Sequence, residues 1–206
     1  MRLACGDKPS KLAQTNQYLK GSLTDSLVNS PELLNLAESL LGGPSTIHSP
    51  FTAVKSAKVG GAFHFHQDNQ YTFLDGPALN FWIALNNMTP ENGCLAICPG
   101  SHKSGTFEAQ QSPDKDEHQT ITYEIDEYLP ARIRAGDCIV FDRLLVHGSG
   151  KNNTNEDRVA YALQYHRNDV KARRRGESEF FLLKEKPLCN TKPVEAIKPR
   201  EEPKAV

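Results

Sequence analysis

An H-Q-D triplet at His66-Gln67-Asp68, His147 79 residues beyond the aspartate and Arg158 11 residues after that form the most informative pattern in this chain. In an extended strand, side chains at i and i+2 point the same way, so His66 and Asp68 can reach one metal ion while Gln67 points away. A second imidazole from a distant strand, His147, would complete a two-histidine, one-carboxylate facial triad, the ligand set of non-haem Fe(II) oxygenases. Three protein ligands leave coordination positions open for a cosubstrate and O₂, which suits an enzyme and not a closed structural site. Arg158 adds a planar cationic fork that fits a carboxylate, such as the distal one of 2-oxoglutarate.

Other residues compete for these roles. His64 precedes His66 by two, an H-x-H pair of the cupin kind. In a regular strand it shares a face with His66 and Asp68, and three such ligands in a row do not meet one ion comfortably. His64 is therefore read as a pocket-wall or supporting residue. Asp142 lacks a ligand partner two residues away, and His102, in a P-G-S-H turn, suits a structural hydrogen bond. His118 and His166 rank lower as ligands. Cys94 and Cys98, in the run CLAIC, read as core thiols because no C-x-x-C hook or second pair accompanies them. Arg173, Arg174 and Arg175 read as a solvated basic face, with a phosphate-bearing substrate handle as the sharper alternative.

These residues need a framework. From about residue 45, short β-branched and aromatic runs (TAVKSA, AFHFHQ, LNFWIALNN, DCIVFD, RVAYALQYH) alternate with Gly, Pro and Asn, the pattern of an antiparallel sandwich or barrel. Pairing of 146–149 with 157–160 as a hairpin would bring Arg158 beside His147 and Ser149. Residues 10–42 read as helical: Ser30-Pro31 marks a cap and first turn, Leu33, Leu34, Leu36, Leu40 and Leu41 recur near 3.6, and Gly42-Gly43-Pro44 stops the helix. The polar stretch 108–119 reads as a mobile loop, and the Lys/Glu/Pro-rich 184–206 as a disordered tail. A single domain over 1–183 is expected.

The 206 residues hold 38% hydrophobic and 24% charged side chains and a net charge of −1, so no global field draws the chain to nucleic acid or to a membrane. No apolar run approaches the roughly 18 residues of a membrane span. The opening lacks the apolar core of a signal peptide, and five scattered cysteines argue against a disulfide framework. The cytoplasm is the expected compartment.

Taken together, HQD, FWIALNNMTPENGCLAICPGSHKSG and GDCIVFDRLLVHGSGKNNTNEDRVAYALQYH resemble the phytanoyl-CoA dioxygenase family of Fe(II)/2-oxoglutarate oxygenases, from about Phe51 to about His166. The resemblance implies a mainly β double-stranded β-helix (jelly roll, cupin-like) with N-terminal helices packed on one sheet. It implies His66, Asp68 and His147 as iron ligands, Arg158 as the partner of the cosubstrate's distal carboxylate and Ser149 as a hydroxyl aiding it. Trp82 and Phe51 would neighbour the cosubstrate, and Lys55 stands where such enzymes often carry a lysine after a strand. The implied reaction consumes 2-oxoglutarate and O₂ and hydroxylates a small molecule. Halogenating relatives have a small residue in place of the carboxylate at Asp68, so hydroxylation or a related oxidation is expected. Such proteins usually have more chain ahead of the helix at 31–41, which makes this either a compact member or one with an incomplete N-terminus. Two readings compete: a cupin-like metal enzyme using His64, His66 and His147 without 2-oxoglutarate, and a metal-free jelly-roll protein that captures a small anion at Arg158.

Overall fold

A computed structural model describes residues 13–15, 18–113, 118–183 and 189–190. Strand β13 (Arg158–Arg167) organises it, because its alternation serves two cores at once. Ala160 and Ala162 pack inward with Ala53, Trp82 and Ala84, while Tyr161, Leu163 and Tyr165 pack outward with Phe81 and Ile83. The period-2 alternation of a strand puts these two sets on opposite faces. The small inward residues leave room for a cavity between Arg158 and Gln164.

The larger sheet orders β1 (Ala13–Thr15), β3 (Ser45–Lys55), β13, β6 (Ala78–Ala84) and β11 (Cys138–Asp142), all antiparallel. The smaller orders β10 (Leu129–Pro130), β7 (Leu95–Ile97), β12 (His147–Ser149) and β4 (Phe63–His66), also antiparallel. One buried cluster joins them, with Ala53, Trp82 and Ala162 from the larger sheet meeting Leu95 from the smaller and Leu145 beside it. This is the jelly-roll sandwich expected. Strands β5 (Thr72–Leu74), β14 (Lys171–Arg174) and β15 (Phe181–Leu182) form a small flanking sheet, and Tyr18–Leu19 (β2) pairs with Cys189–Asn190 (β16).

Helices α1 (Leu23–Val28) and α2 (Pro31–Leu41) cover the outer face of the larger sheet. Ser30 Oγ accepts the Leu33 amide, Pro31 opens the first turn and Gly42 closes α2 in the left-handed region. The buried stripe is Leu33, Leu34, Ala37 and Leu41, while Leu36 and Leu40 are exposed. The expected helical stretch of 10–42 is thus shorter: helix begins at Leu23, and short strands stand before it.

Two further expectations are corrected. Strands β12 and β13 do not form a hairpin; they belong to opposite sheets, and Arg158 reaches the site across the sandwich. Chain neighbours in a sandwich often cross between sheets, so adjacency in sequence misled. The stretch 108–119 contains strand β8 (Ala109–Gln111), paired with β9 (Gln119–Ile121); its tip, 114–117, lies outside the described residues, as does most of 184–206. Among the described residues, no helix is long and apolar enough to cross a membrane.

Candidate active site

The ligand-type atoms of His66, Asp68 and His147 all lie within 4.8 Å of one another, the one such group found among the described residues. Register brings them together, since His66 of β4 and His147 of β12 are cross-strand partners. Gln67 keeps an extended backbone at φ −114°, ψ 139°, so Asp68 projects with His66 before the chain turns into a single 3₁₀ turn. Each Nε2 stands 3.9 Å from Asp68 Oδ1.

Each donor is oriented by its other polar atom. His66 Nδ1 lies 2.9 Å from the His64 carbonyl and His147 Nδ1 lies 3.0 Å from the Leu145 carbonyl. A proton on each Nδ1 satisfies those carbonyls and leaves the Nε2 lone pairs facing Asp68, the tautomer a metal requires. Asp68 Oδ2 accepts from Asn80 Nδ2 at 3.0 Å and Gln164 Nε2 at 3.3 Å, which frees Oδ1. Gln67, fully buried, ties the triplet down: its amide donates to the Gly105 and Leu144 carbonyls and accepts the Phe107 amide. Arg143 Nη2 donates to the carbonyls of Asp68 and Thr72.

Burial and the nearby His147 imidazole push His66 down to about 3, so it stays neutral and able to ligate. For Asp68, burial alone would raise the carboxyl. His147, Arg143 and His66 with the Asn80 hydrogen bond overrule that influence and hold it below its ordinary value, as a carboxylate. Two imidazoles whose Nε2 atoms face a common point and one ionised carboxylate fit a divalent first-row ion.

A cavity of about 490 Å³ opens over this group, lined at one end by Phe51, Trp82, Ser149 and Arg158. Arg158 is 1% exposed, and its guanidinium lies 5.3 Å from the Trp82 ring centroid. Its Nε and Nη1, and the Trp82 Nε1, find no acceptor among the described residues. Burial lowers Arg158 to about 10, still well above neutrality, so it remains cationic. A buried cation with unanswered N–H groups suits an anion from outside. Lys55 does not line this cavity; it donates to Ser149 Oγ at 2.7 Å from behind.

His64 lines a separate depression with Phe65, Pro90 and Tyr128. A β-bulge between β4 and β12 breaks the regular alternation that would have aligned it with His66. The bulge packs on Gly148, where a Cβ would meet the Phe63 carbonyl at 2.7 Å. Asp142 accepts the Leu144 amide and takes no part in the group. In the P-G-S-H turn, Ser101 Oγ accepts the Val146 amide at 2.8 Å, bracing the residue before His147. Cys94 and Cys98 are buried free thiols. The basic run lies within and just after β14, where Arg173 stacks between Phe73 and Phe180, and Arg174 stacks on Phe181 and pairs with Glu177.

Sequence reasoning missed Asn80, Gln164, Gln67 and Arg143 as supports. The first two were within reach of strand arithmetic. Asn80 is two before Trp82 and Gln164 six after Arg158, so each shares the inward face of a strand already implicated. It also missed His48, Tyr71 and Thr72 at the cavity's other end, and gave His118 no such place. His48 enters because the pairing of β3 with β13 skips a residue there, with Ser49 opposite Gln164 and Ile47 opposite Tyr165.

A jelly roll with a His/Asp/His donor group in its mouth defines the class. The phytanoyl-CoA dioxygenase family model matches residues 8–160, and the chain belongs to that family. It is 34% identical over 124 residues to a rice (Oryza sativa subsp. japonica) protein named phytanoyl-CoA dioxygenase 1, covering 58% of this chain and 44% of that one. Among solved structures it is similar to the apo form of the non-heme monooxygenase ThoJ, with TM-score 0.64, 28% identity and coverage of 82% and 64%. It is also similar to SnoN, a non-heme alpha ketoglutarate dependent epimerase from nogalamycin biosynthesis, with TM-score 0.60, 27% identity and coverage of 74% and 61%. The chain spans about half the length of the curated relatives it matches.

Proposed function

We propose that this protein is an Fe(II)- and 2-oxoglutarate-dependent dioxygenase that hydroxylates a C–H bond of a small-molecule substrate, forming succinate and CO₂. The observation that supports this most is the coincidence, in one cavity, of three converging donor atoms and a buried Arg158 with unanswered N–H groups. The names of its relatives, a dioxygenase, a monooxygenase and an alpha ketoglutarate dependent epimerase, point the same way.

In this reading His66, Asp68 and His147 hold Fe(II), and Arg158 with Ser149 holds the distal carboxylate of 2-oxoglutarate against Trp82 and Phe51. When bound, iron and 2-oxoglutarate supply the oxidising chemistry, consuming O₂. The chain's own work is positioning. Asn80 and Gln164 fix the Asp68 carboxylate, and the Leu145 and His64 carbonyls fix the imidazole tautomers. His48, Tyr71, Thr72 and His118 line the remaining end, where the substrate is placed close to the metal. Asp68 occupies the position that halogenating relatives leave to a halide, which favours hydroxylation. Free Cys94, Cys98 and Cys138 accord with a reducing compartment, and we place the protein in the cytoplasm.

Anaerobic titration with Fe(II) and then 2-oxoglutarate tests the reading. Bidentate chelation gives a weak visible charge-transfer band, and admission of O₂ gives succinate. A protein that takes up Fe(II) but shows neither band nor succinate would contradict it.

A further inference from the structure

We propose that the substrate is a small molecule with a single carboxylate, which Arg143 receives at the cavity end away from Arg158; the inference rests on the 2-oxoglutarate reading above. The cavity has two unlike ends. Towards Arg158 its walls carry Phe51, Trp82 and Leu95, the last beside Ser149 in the smaller sheet. At the other end His48, Ser49, Tyr71, Thr72, Gln164 and Arg143 all bring hydrogen-bonding side chains. An aliphatic chain placed there would strip water from these groups and return no hydrogen bond, so the lining selects against a fatty substrate. Among the described residues Phe63 is the apolar exception, its ring centroid 4.7 Å from that of His66. It suits a short carbon segment beside the metal, the place for the C–H bond that reacts.

Arg143 gives this end its charge. It directly follows β11 and is 4% exposed, and its Nη2 serves the carbonyls of Asp68 and Thr72. Its Nε and Nη1 find no acceptor among the described residues. The Asp68 carboxylate does not answer them, since Oδ2 is taken by Asn80 and Gln164 while Oδ1 faces the two Nε2 atoms. A buried guanidinium with open N–H groups calls for a charged acceptor. Charge balance asks for the same thing. With metal and cosubstrate bound, Fe(II), Arg143 and Arg158 still outweigh Asp68 and the two carboxylates of 2-oxoglutarate, and buried Lys55 adds to the excess. A phosphate monoester, with nearly two charges, would want further cations, whereas Arg143 is the one permanent cation lining this end among the described residues. Because Arg143 holds the backbone of Asp68 itself, a carboxylate on it lies only a few bonds from the metal, and the substrate is short.

The test follows succinate formation by Fe(II)- and 2-oxoglutarate-loaded protein under O₂ as candidate substrates are added. The panel holds hydroxy, amino and cyclic carboxylic acids, each beside its primary amide, with sugar phosphates and fatty alcohols as the other arms. At least one acid is expected to stimulate succinate formation, and its amide to have a KM roughly 30-fold higher or more, the loss that follows when a buried cation is denied its charged partner. R143K keeps a donor for the Asp68 and Thr72 carbonyls but withdraws the rest of the guanidinium. It is expected to raise the KM of the acid roughly 30-fold and that of the amide less than threefold. A role confined to bracing the Asp68 turn would instead weaken Fe(II) binding and move both KM values together. Should R143K not fold, the contrast between acid and amide in the wild-type protein decides. Equal stimulation by acid and amide, stimulation by phosphates or fatty alcohols but by no acid, a panel that leaves succinate formation unchanged, or equal KM changes in R143K would each overturn the proposal. Loaded wild-type protein with neither the charge-transfer band nor succinate would overturn the parent reading, whereas a band with turnover indifferent to carboxylates overturns this proposal alone.

Discussion

Replacing Arg158 with methionine separates binding from stability in a way few substitutions here can. In the ligand-free protein the guanidinium is buried, its Nε and Nη1 without an acceptor among the described residues, and burial has lowered it to about 10. That displacement corresponds to a penalty on the charged form of roughly 3 kcal/mol. Methionine fills similar length without charge and forfeits the Trp82 contact, worth about 1–2 kcal/mol. The ligand-free R158M protein is therefore expected to be as stable as wild type or more so, by roughly 1 kcal/mol or about 3 °C in Tm. Binding of 2-oxoglutarate behaves oppositely. Loss of a buried, hydrogen-bonded charge partner costs about 2–5 kcal/mol, a fall in affinity of roughly 30-fold to several thousandfold. The chain contains a single tryptophan, and Trp82 lies 5.3 Å from this guanidinium, so its fluorescence reports the titration directly. R158M that binds 2-oxoglutarate within threefold of wild type, or that loses several kcal/mol of stability, would show Arg158 to be a structural cation.

Three other outcomes are expected. Asn80→Leu and Gln164→Leu each remove a donor from Asp68 Oδ2 and are expected to weaken Co(II) or Fe(II) binding about 10- to 100-fold; calorimetry showing unchanged affinity in both would count against their assigned part. His66 lies near 3 against an ordinary 6.5, so between those values the unfolded chain takes up a proton that the fold excludes. Ligand-free stability is therefore complete above pH 6.5 and declines as pH falls toward 3, by roughly 2 kcal/mol at pH 5. Melting curves of H66N are expected to show a flatter decline, and parallel curves would refute the cause. Gly148→Ala places a methyl 2.7 Å from the Phe63 carbonyl, so a loss of about 2 kcal/mol or more is expected in denaturant unfolding, together with weakened metal binding as β12 shifts against β4.

Much of the site was legible because its chemistry is carried by a few side-chain types at short spacing. The H-x-D pair needed only the two-residue period of an extended chain, and the Gln67 backbone supplies it. Jelly-roll architecture followed from many short strands with turn residues between them. What escaped depends on pairing over long separations. Asn80 and Gln164 meet at Asp68 because they are cross-strand neighbours 84 positions apart, a register no local pattern displays. Arg158 was placed beside His147 for the wrong reason, through a hairpin, whereas it arrives from the opposite sheet. His64 was judged a supporting residue, and its carbonyl does support His66; the bulge that turns its ring away was invisible in sequence. Leu36 and Leu40 fitted a helical period yet lie on the exposed side, since the helix chose Leu33, Leu34, Ala37 and Leu41 to meet the sheet. The strand at 109–111 has a polar sequence, and only its pairing with 119–121 reveals it.

The most direct measurement is the dependence of succinate formation on the three donor residues. Purified protein supplied with Fe(II), 2-oxoglutarate and O₂ is expected to form succinate, and H147A and D68A, still folded by circular dichroism, are expected to form none while losing Fe(II) affinity. Undiminished succinate in either folded variant would contradict the placement of the metal between His66, Asp68 and His147.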